Sequence, residues 1–172
     1  MRNLEFLLST GKISPKIPML LGLLERLTRE EQFRETRQPS SGLVVSVTSF
    51  SYRNGLPEDD SGNGGGFVFD CRALPNPGRF PEYKSVTGKD MPVIEFLRKE
   101  PEVERFLEQV FAMVGQSIRV YSGRGFTHLA VNFGCTGGQH RSVYCAETLA
   151  IHLREHFQVG VRLIHREIGQ SK

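Results

Sequence analysis

The chain has 172 residues, of which 38% are hydrophobic, 24% charged and 9% aromatic. One globular domain, with room for a short extra segment, is the default at this length, and such a chain buries roughly two thirds of its unfolded surface. Twenty-two basic against 19 acidic residues leave a net charge of +3, too little for a chain built mainly to coat nucleic acid, and no run of about 18 apolar residues is present to span a membrane as a helix.

The N-terminal stretch MRNLEFLLSTGK carries only a short apolar patch, Leu4 and Phe6 to Leu8. It is too short for a secretory signal, and no small-residue cleavage site follows. Ile17, Leu20, Leu21, Leu24 and Leu27 then repeat at helical spacing, with Pro15 and Pro18 at the start, where proline is tolerated. A charged stretch runs to a linker-like PSSG at Pro39 to Gly42. Residues 1–41 are therefore expected to form a helical arm, packed on the core or belonging to an upstream domain, and residues 42–172 an α/β domain.

Leu43 to Phe50 is β-branched and nearly continuous in apolar character, as in a strand covered on both faces. The loop SYRNGLPEDDSGNGGG leads to a second strand, Gly66 to Cys71. RALPNPGRFPEY is punctuated by prolines and reads as loop. KDMPVIEFLRKE is expected to be a short helix, and Pro101 opens a longer one. There Val103, Phe106, Leu107, Val110, Phe111, Val114, Ile118 and Tyr121 follow a helical repeat up to Gly123 and Gly125. FTHLAVNFG is a third strand, CTGGQHRS a loop, VYCAETLAIHLREHF a helix and VGVRLIHRE a last strand. Strand–loop–helix–strand order implies parallel strands. The expected fold is α/β, with a mostly parallel four- to five-stranded sheet covered by helices.

The chemistry concentrates in FGCTGGQHRS, which joins a strand end to a helix start. Ligands of open α/β sheets sit at such positions. The helix N-terminus offers unpaired N–H groups and the positive end of its dipole. Gly137 and Gly138 permit close backbone approach. Thr136, Gln139, His140 and Ser142 add donors, and Arg141 a planar fork suited to phosphate oxygens. This set favours a phosphate-like anion. The spacing Cys135-x5-Arg141-Ser142 also resembles the signature of cysteine-dependent phosphatases, in which a thiolate attacks phosphorus and the arginine holds the transferring group. Gly134 stands where that pattern has histidine, and the general acid has no motif, with Asp70 and Asp90 no more than candidates. A binding site without catalysis is the preferred reading, and a phosphatase using Cys135 and Arg141 the alternative.

Four blocks, VTSFSYRNGLP, FVFDCRALPNPG, TGKDMPVIEFL and GCTGGQHRSVYCAETLA, together resemble the C-terminal domain of the bacterial RapZ (YvcJ-like) family, over about Leu43 to Arg166. The resemblance implies a domain similar to a phosphofructokinase subdomain. It implies binding of an amino-sugar phosphate, glucosamine-6-phosphate, in the cytoplasm. In enteric bacteria it also implies small-RNA binding and presentation to an endoribonuclease. Full-length members carry a P-loop domain, but no G-x-x-x-x-G-K-[ST] occurs in this chain, so nucleotide binding of that kind is not carried over. The implied anion loop is Thr136, Gly137, Gly138, His140 and Arg141, with Asp70, Arg72 and Asn76 from the second block. Some members have histidine where Asn54 stands. Asp70 and Arg72, two apart on a strand, would face one crevice, or else pair with each other.

Basic residues near the tail, Arg154, Arg162, Arg166 and Lys172, are few and interrupted by Glu155 and Glu167, which predicts weak, salt-sensitive RNA binding. His152, Glu155 and His156 form a literal H-x-x-E-H. With only His165 and Glu167 left as a third ligand, a surface pair beside a core stripe is preferred over a metal site, and no cofactor is expected. Three cysteines make no disulfide framework, which points to a reducing cytoplasm. Cys71 and Cys145 are expected to be buried.

Overall fold

The computed structural model describes residues 42–169 apart from 60, 63 and 64. The helical arm expected within residues 1–41, and Lys172 of the basic tail, lie outside the described residues. Four strands, β1 (Val44–Ser51), β2 (Phe67–Asp70), β3 (His128–Cys135) and β4 (Gly160–His165), form one sheet in the order β2-β3-β1-β4. All three pairings are parallel. The expected α/β fold with a parallel sheet is thus what the chain adopts. Three helices accompany it among the described residues: α1 (Met91–Arg98), α2 (Pro101–Gly123) and α3 (Arg141–His156).

Local chemistry explains the boundaries. Strand β1 lies between β3 and β4 and buries Val45, Val47 and Phe50 completely, with Ser49 beside them, as in a strand covered on both faces. Pro101 occupies the first turn of α2, where its missing N–H costs nothing. The helix buries Val103, Leu107, Val110, Val114 and Ile118 along one stripe. Strand β2 stops at Asp70 because the Asp70 carboxylate accepts the Arg72 backbone N–H at 2.8 Å and opens a 3-10 turn, Cys71–Ala73. The proline-rich stretch after it is a string of such turns. Pro77 and Pro81 start Pro77–Arg79 and Pro81–Tyr83. Leu97, Phe133, Leu149 and Leu153 are fully buried in the core.

A polar chain crosses the sheet edge. Ser49 Oγ lies 2.7 Å from His165 Nδ1, and His165 Nε2 lies 3.1 Å from Glu147 Oε1. Ser49 is wholly buried, so this chain joins β1, β4 and α3 rather than presenting a nucleophile. No helix among the described residues is long and apolar enough to cross a membrane.

On α3 the two histidines of the H-x-x-E-H run lie side by side, and His152 stacks on Phe111 with ring centres 4.0 Å apart. Burial there, and then the neighbouring His156, push the His152 imidazole below its ordinary value, partly offset by Glu155. The unfolded chain therefore takes up this proton more readily. The stack's contribution is present above the unfolded value of about 6.5 and is lost as pH falls below it. The melting temperature is expected to drop between about pH 7 and pH 5, with a shallower drop in His152→Phe. Equal slopes in a thermal scan of the two proteins would refute this.

Candidate functional site

The carboxyl ends of β1 and β3 lie together, with Ser51 opposite Cys135 in the register. The chain leaving β3 makes a tight corner, Thr136 to His140, before α3 begins at Arg141. Backbone packing builds this corner. Gly134 has no room for a Cβ, which would sit 2.5 Å from both Phe50 Cζ and Tyr52 Cε2. Gly138 takes φ +67, a left-handed conformation that favours glycine, and its N–H donates to Cys135 Sγ at 3.2 Å. Ser51 Oγ donates to Thr136 O at 2.7 Å. Glu167 accepts from the Ser51 backbone N–H and from Asn54 Nδ2.

The other side of the corner is tied to the segment between β2 and α1. Gly88 N donates to Gln139 O at 2.9 Å. Gln139 Nε2 donates to the carbonyls of Lys84 and Val86 at 2.9 and 2.7 Å. His140 Nε2 lies 2.8 Å from Tyr83 O. A carbonyl only accepts, so the proton sits on Nε2 and a neutral ring keeps Nδ1 as an acceptor. Helix α3 itself has no side-chain cap at its N-terminus.

Arg141 occupies the centre. It is 5% exposed, and its Nη1 donates to Arg72 O at 2.8 Å and Leu74 O at 3.1 Å. Its Nε is buried and has no partner among the described residues. Leaving a charged donor unsatisfied is costly, so this edge of the guanidinium fits an anion. A hollow of about 170 Å³ lies against it, lined also by Asn76, Thr136, Gly137 and His140, with Cys135. A second cleft of about 410 Å³ shares Asn76, Thr136 and Arg141 with the first and adds Arg72, Arg79 and Glu102. With Arg72 paired to Asp70, Arg79 and Arg141 stand against the one carboxylate of Glu102, and together with the positive end of the helix they give the site an anionic preference.

Several predicted residues take other roles. Asp70 and Arg72 do not share a strand face, because Arg72 lies in the turn after β2. They pair with each other, Arg72 Nη2 to Asp70 Oδ2 at 2.6 Å, while the guanidinium covers the Tyr52 ring at 4.2 Å. That hydrogen bond holds the Asp70 carboxyl below the usual carboxylate range. Asn76 Oδ1 accepts from Gly78 N and shapes the turn facing His140. Asn54 is engaged by Glu167 and lines neither hollow. Ser142 is fully buried, with Oγ 3.2 Å from Cys135 Sγ. Cys71 and Cys145 are wholly buried, and a hydrogen bond with Cys145, together with burial, raises the Cys71 thiol well above its ordinary value. Among the described residues no group of three or more His, Cys, Asp or Glu side chains is placed to hold a metal. Sequence reasoning missed Ser51, Arg79, Glu102 and Glu167 as parts or supports of the site. Ser51 lies within the first of the four blocks but carried no chemical signal, the other three lie outside the blocks, and only tertiary proximity reveals their roles.

A family model described as the RapZ C-terminal domain matches residues 43–169. Curated relatives match a comparable length of the chain. A nucleotide-binding protein of Acidithiobacillus ferrooxidans is 43% identical over 129 residues, 75% of this chain and 41% of that protein. One from Nitrosomonas europaea is 39% identical over 138 residues, 80% and 45% of the two lengths. One from Laribacter hongkongensis is 41% identical over 133 residues, 77% and 46%. The chain spans less than half the length of these relatives.

Proposed function

This chain belongs to the RapZ C-terminal domain family, and on that footing we propose that its β3–α3 corner binds the phosphate group of a small ligand, an amino-sugar phosphate such as glucosamine-6-phosphate, as the sensing step of a cytoplasmic regulatory adapter. The observation that carries this reading is the buried, unpartnered Nε of Arg141, a residue that lines the 170 Å³ hollow. With Nη1 fixed on two carbonyls, the Nε edge is pre-oriented, so little order is lost when a phosphate oxygen arrives. Backbone amides from Thr136 to Arg141 and the α3 dipole complete the seat. Gln139 and His140 position it through the Tyr83, Lys84 and Val86 carbonyls, while Gly138 and Ser142 support it from the Cys135 side. The sugar would extend into the larger cleft, where Arg72, Asn76 and Glu102 offer polar groups and a carboxylate for an ammonium.

Isothermal titration tests the reading. Glucosamine-6-phosphate is expected to bind, inorganic phosphate to compete, and glucosamine to give no heat. Binding by glucosamine with no competition from phosphate would overturn it. In the adapter reading, the partner is a small RNA or an endoribonuclease. A structured RNA titrated at two salt concentrations, with and without the sugar phosphate, is expected to bind weakly and more weakly at high salt.

A further inference from the structure

The hollow that takes the anion also has a sulfur in its wall. Cys135 is 3% exposed and faces the same space as Thr136, Gly137 and Arg141. The Gly138 N–H donates to its Sγ at 3.2 Å, and the Ser142 hydroxyl shares a proton with it across 3.2 Å. The left-handed turn at Gly138 aims that N–H at the sulfur. Backbone support for the corner does not need a thiol there, yet Cys135, the residues at the uncapped start of α3 and Arg141, whose Nε has no partner, line one cavity. A nucleophile held by donors beside an anion clamp is the arrangement of covalent phosphoryl transfer.

We propose that Cys135 accepts a phosphoryl group from aryl or acyl phosphates bound at this seat and passes it to water. The inference rests on the phosphate-binding reading above. The Cys135 thiol first loses its proton to solvent. Sγ then attacks phosphorus, the S–P bond forms, and the P–O bond to the leaving group breaks, its electron pair departing on a phenolate or carboxylate oxygen. Arg141 and the loop amides hold the transferring group. Water attacks the phosphocysteine, the S–P bond breaks, orthophosphate leaves, and the water's proton passes to bulk solvent.

The substrate class follows from what surrounds the sulfur. The Asp70 carboxylate is occupied by three hydrogen bonds from the Arg72 guanidinium. The Asp90 carboxylate is occupied by the Thr87 backbone N–H and hydroxyl. Glu102 lines the outer cleft and not the hollow of the sulfur. Glu167 is held by the Ser51 N–H and Asn54, so among the described residues none of these four carboxyls is placed to protonate a poor leaving group such as a sugar alkoxide. Sugar phosphates stay bound and intact, whereas phenolates and carboxylates leave without a proton.

The test uses p-nitrophenyl phosphate as the probe with the full chain. Wild type is expected to release nitrophenolate, with inorganic phosphate inhibiting, and a rapid acid quench is expected to trap phosphate on the peptide containing Cys135. Cys135→Ser, checked for folding by its melting transition, is expected to release it at least about tenfold more slowly. Release that is unchanged in Cys135→Ser, or absent in a wild type that still binds phosphate by titration, overturns the inference and leaves the binding site standing. A wild type that binds no phosphate overturns both. If Cys135→Ser does not fold, the quench on wild type decides: phosphate on the Cys135 peptide supports the inference, and its absence overturns it.

Discussion

Replacing Arg141 with alanine is expected to remove measurable phosphate-ester binding and to destabilise the domain by about 1.5–3 kcal/mol. Both effects come from one side chain with two jobs. Its Nη1 satisfies the carbonyls of Arg72 and Leu74, in a residue that is 5% exposed. Hydrogen bonds from a charged donor are worth about 1.5–3 kcal/mol, and a buried partner left behind adds its desolvation cost. On the ligand side, loss of one such bond to phosphate weakens binding by about ten- to a hundredfold. Arg141→Lys keeps the charge but cannot hold two carbonyls on one nitrogen while offering a second edge to the anion. It is expected to recover part of the affinity and little of the stability. Titration calorimetry and urea denaturation on the three proteins separate the effects. An unchanged affinity in Arg141→Ala would mean the anion binds elsewhere.

Gly88→Ala should be nearly as damaging, although Gly88 touches no ligand. A Cβ at position 88 would collide with His140 O, sit 2.5 Å from Tyr144 N and 2.9 Å from Val143 Cβ. Two of these are backbone atoms at the start of α3 and the third belongs to a stiff β-branched side chain, so none can rotate away. Overpacking of this kind costs about 1–3 kcal/mol and moves backbone. The movement would pull Gly88 N from Gln139 O and disturb the His140–Tyr83 contact, so phosphate affinity is expected to fall with stability. Gly137→Ala is the control. Nothing lies within 4 Å of a Cβ there, and the change is expected to stay within about 0.5 kcal/mol. Urea midpoints for the two variants check the contrast, and equal midpoints would show that the close approach at Gly88 is not tight.

The corner was legible because local sequence encodes it: two glycines, a run of donors and an arginine between a strand and a helix. The parallel sheet was legible from the β-branched run of β1 and the helical stripes of α2 and α3. What Arg141 does with its second nitrogen was not, because its carbonyl partners lie 69 and 67 residues earlier. Asp70 and Arg72 show the same limit. Sequence left open whether they faced a crevice or each other, and the turn at Cys71–Ala73, set by an Asp70 side-chain cap, decides for the pair. Glu167 was read as an interruption of a basic tail. It instead braces Ser51 and Asn54 behind the corner, a role visible only once β4 is seen beside β1.

The segment from Cys71 to Asp90 is fastened to the corner by Gln139, His140 and Arg141, three of the residues that border the hollow. Phe80, 44% exposed on this strap, packs its ring against Tyr83 and Phe96. The corner and the 71–90 segment are thereby braced as one unit, through three side chains that also line the hollow.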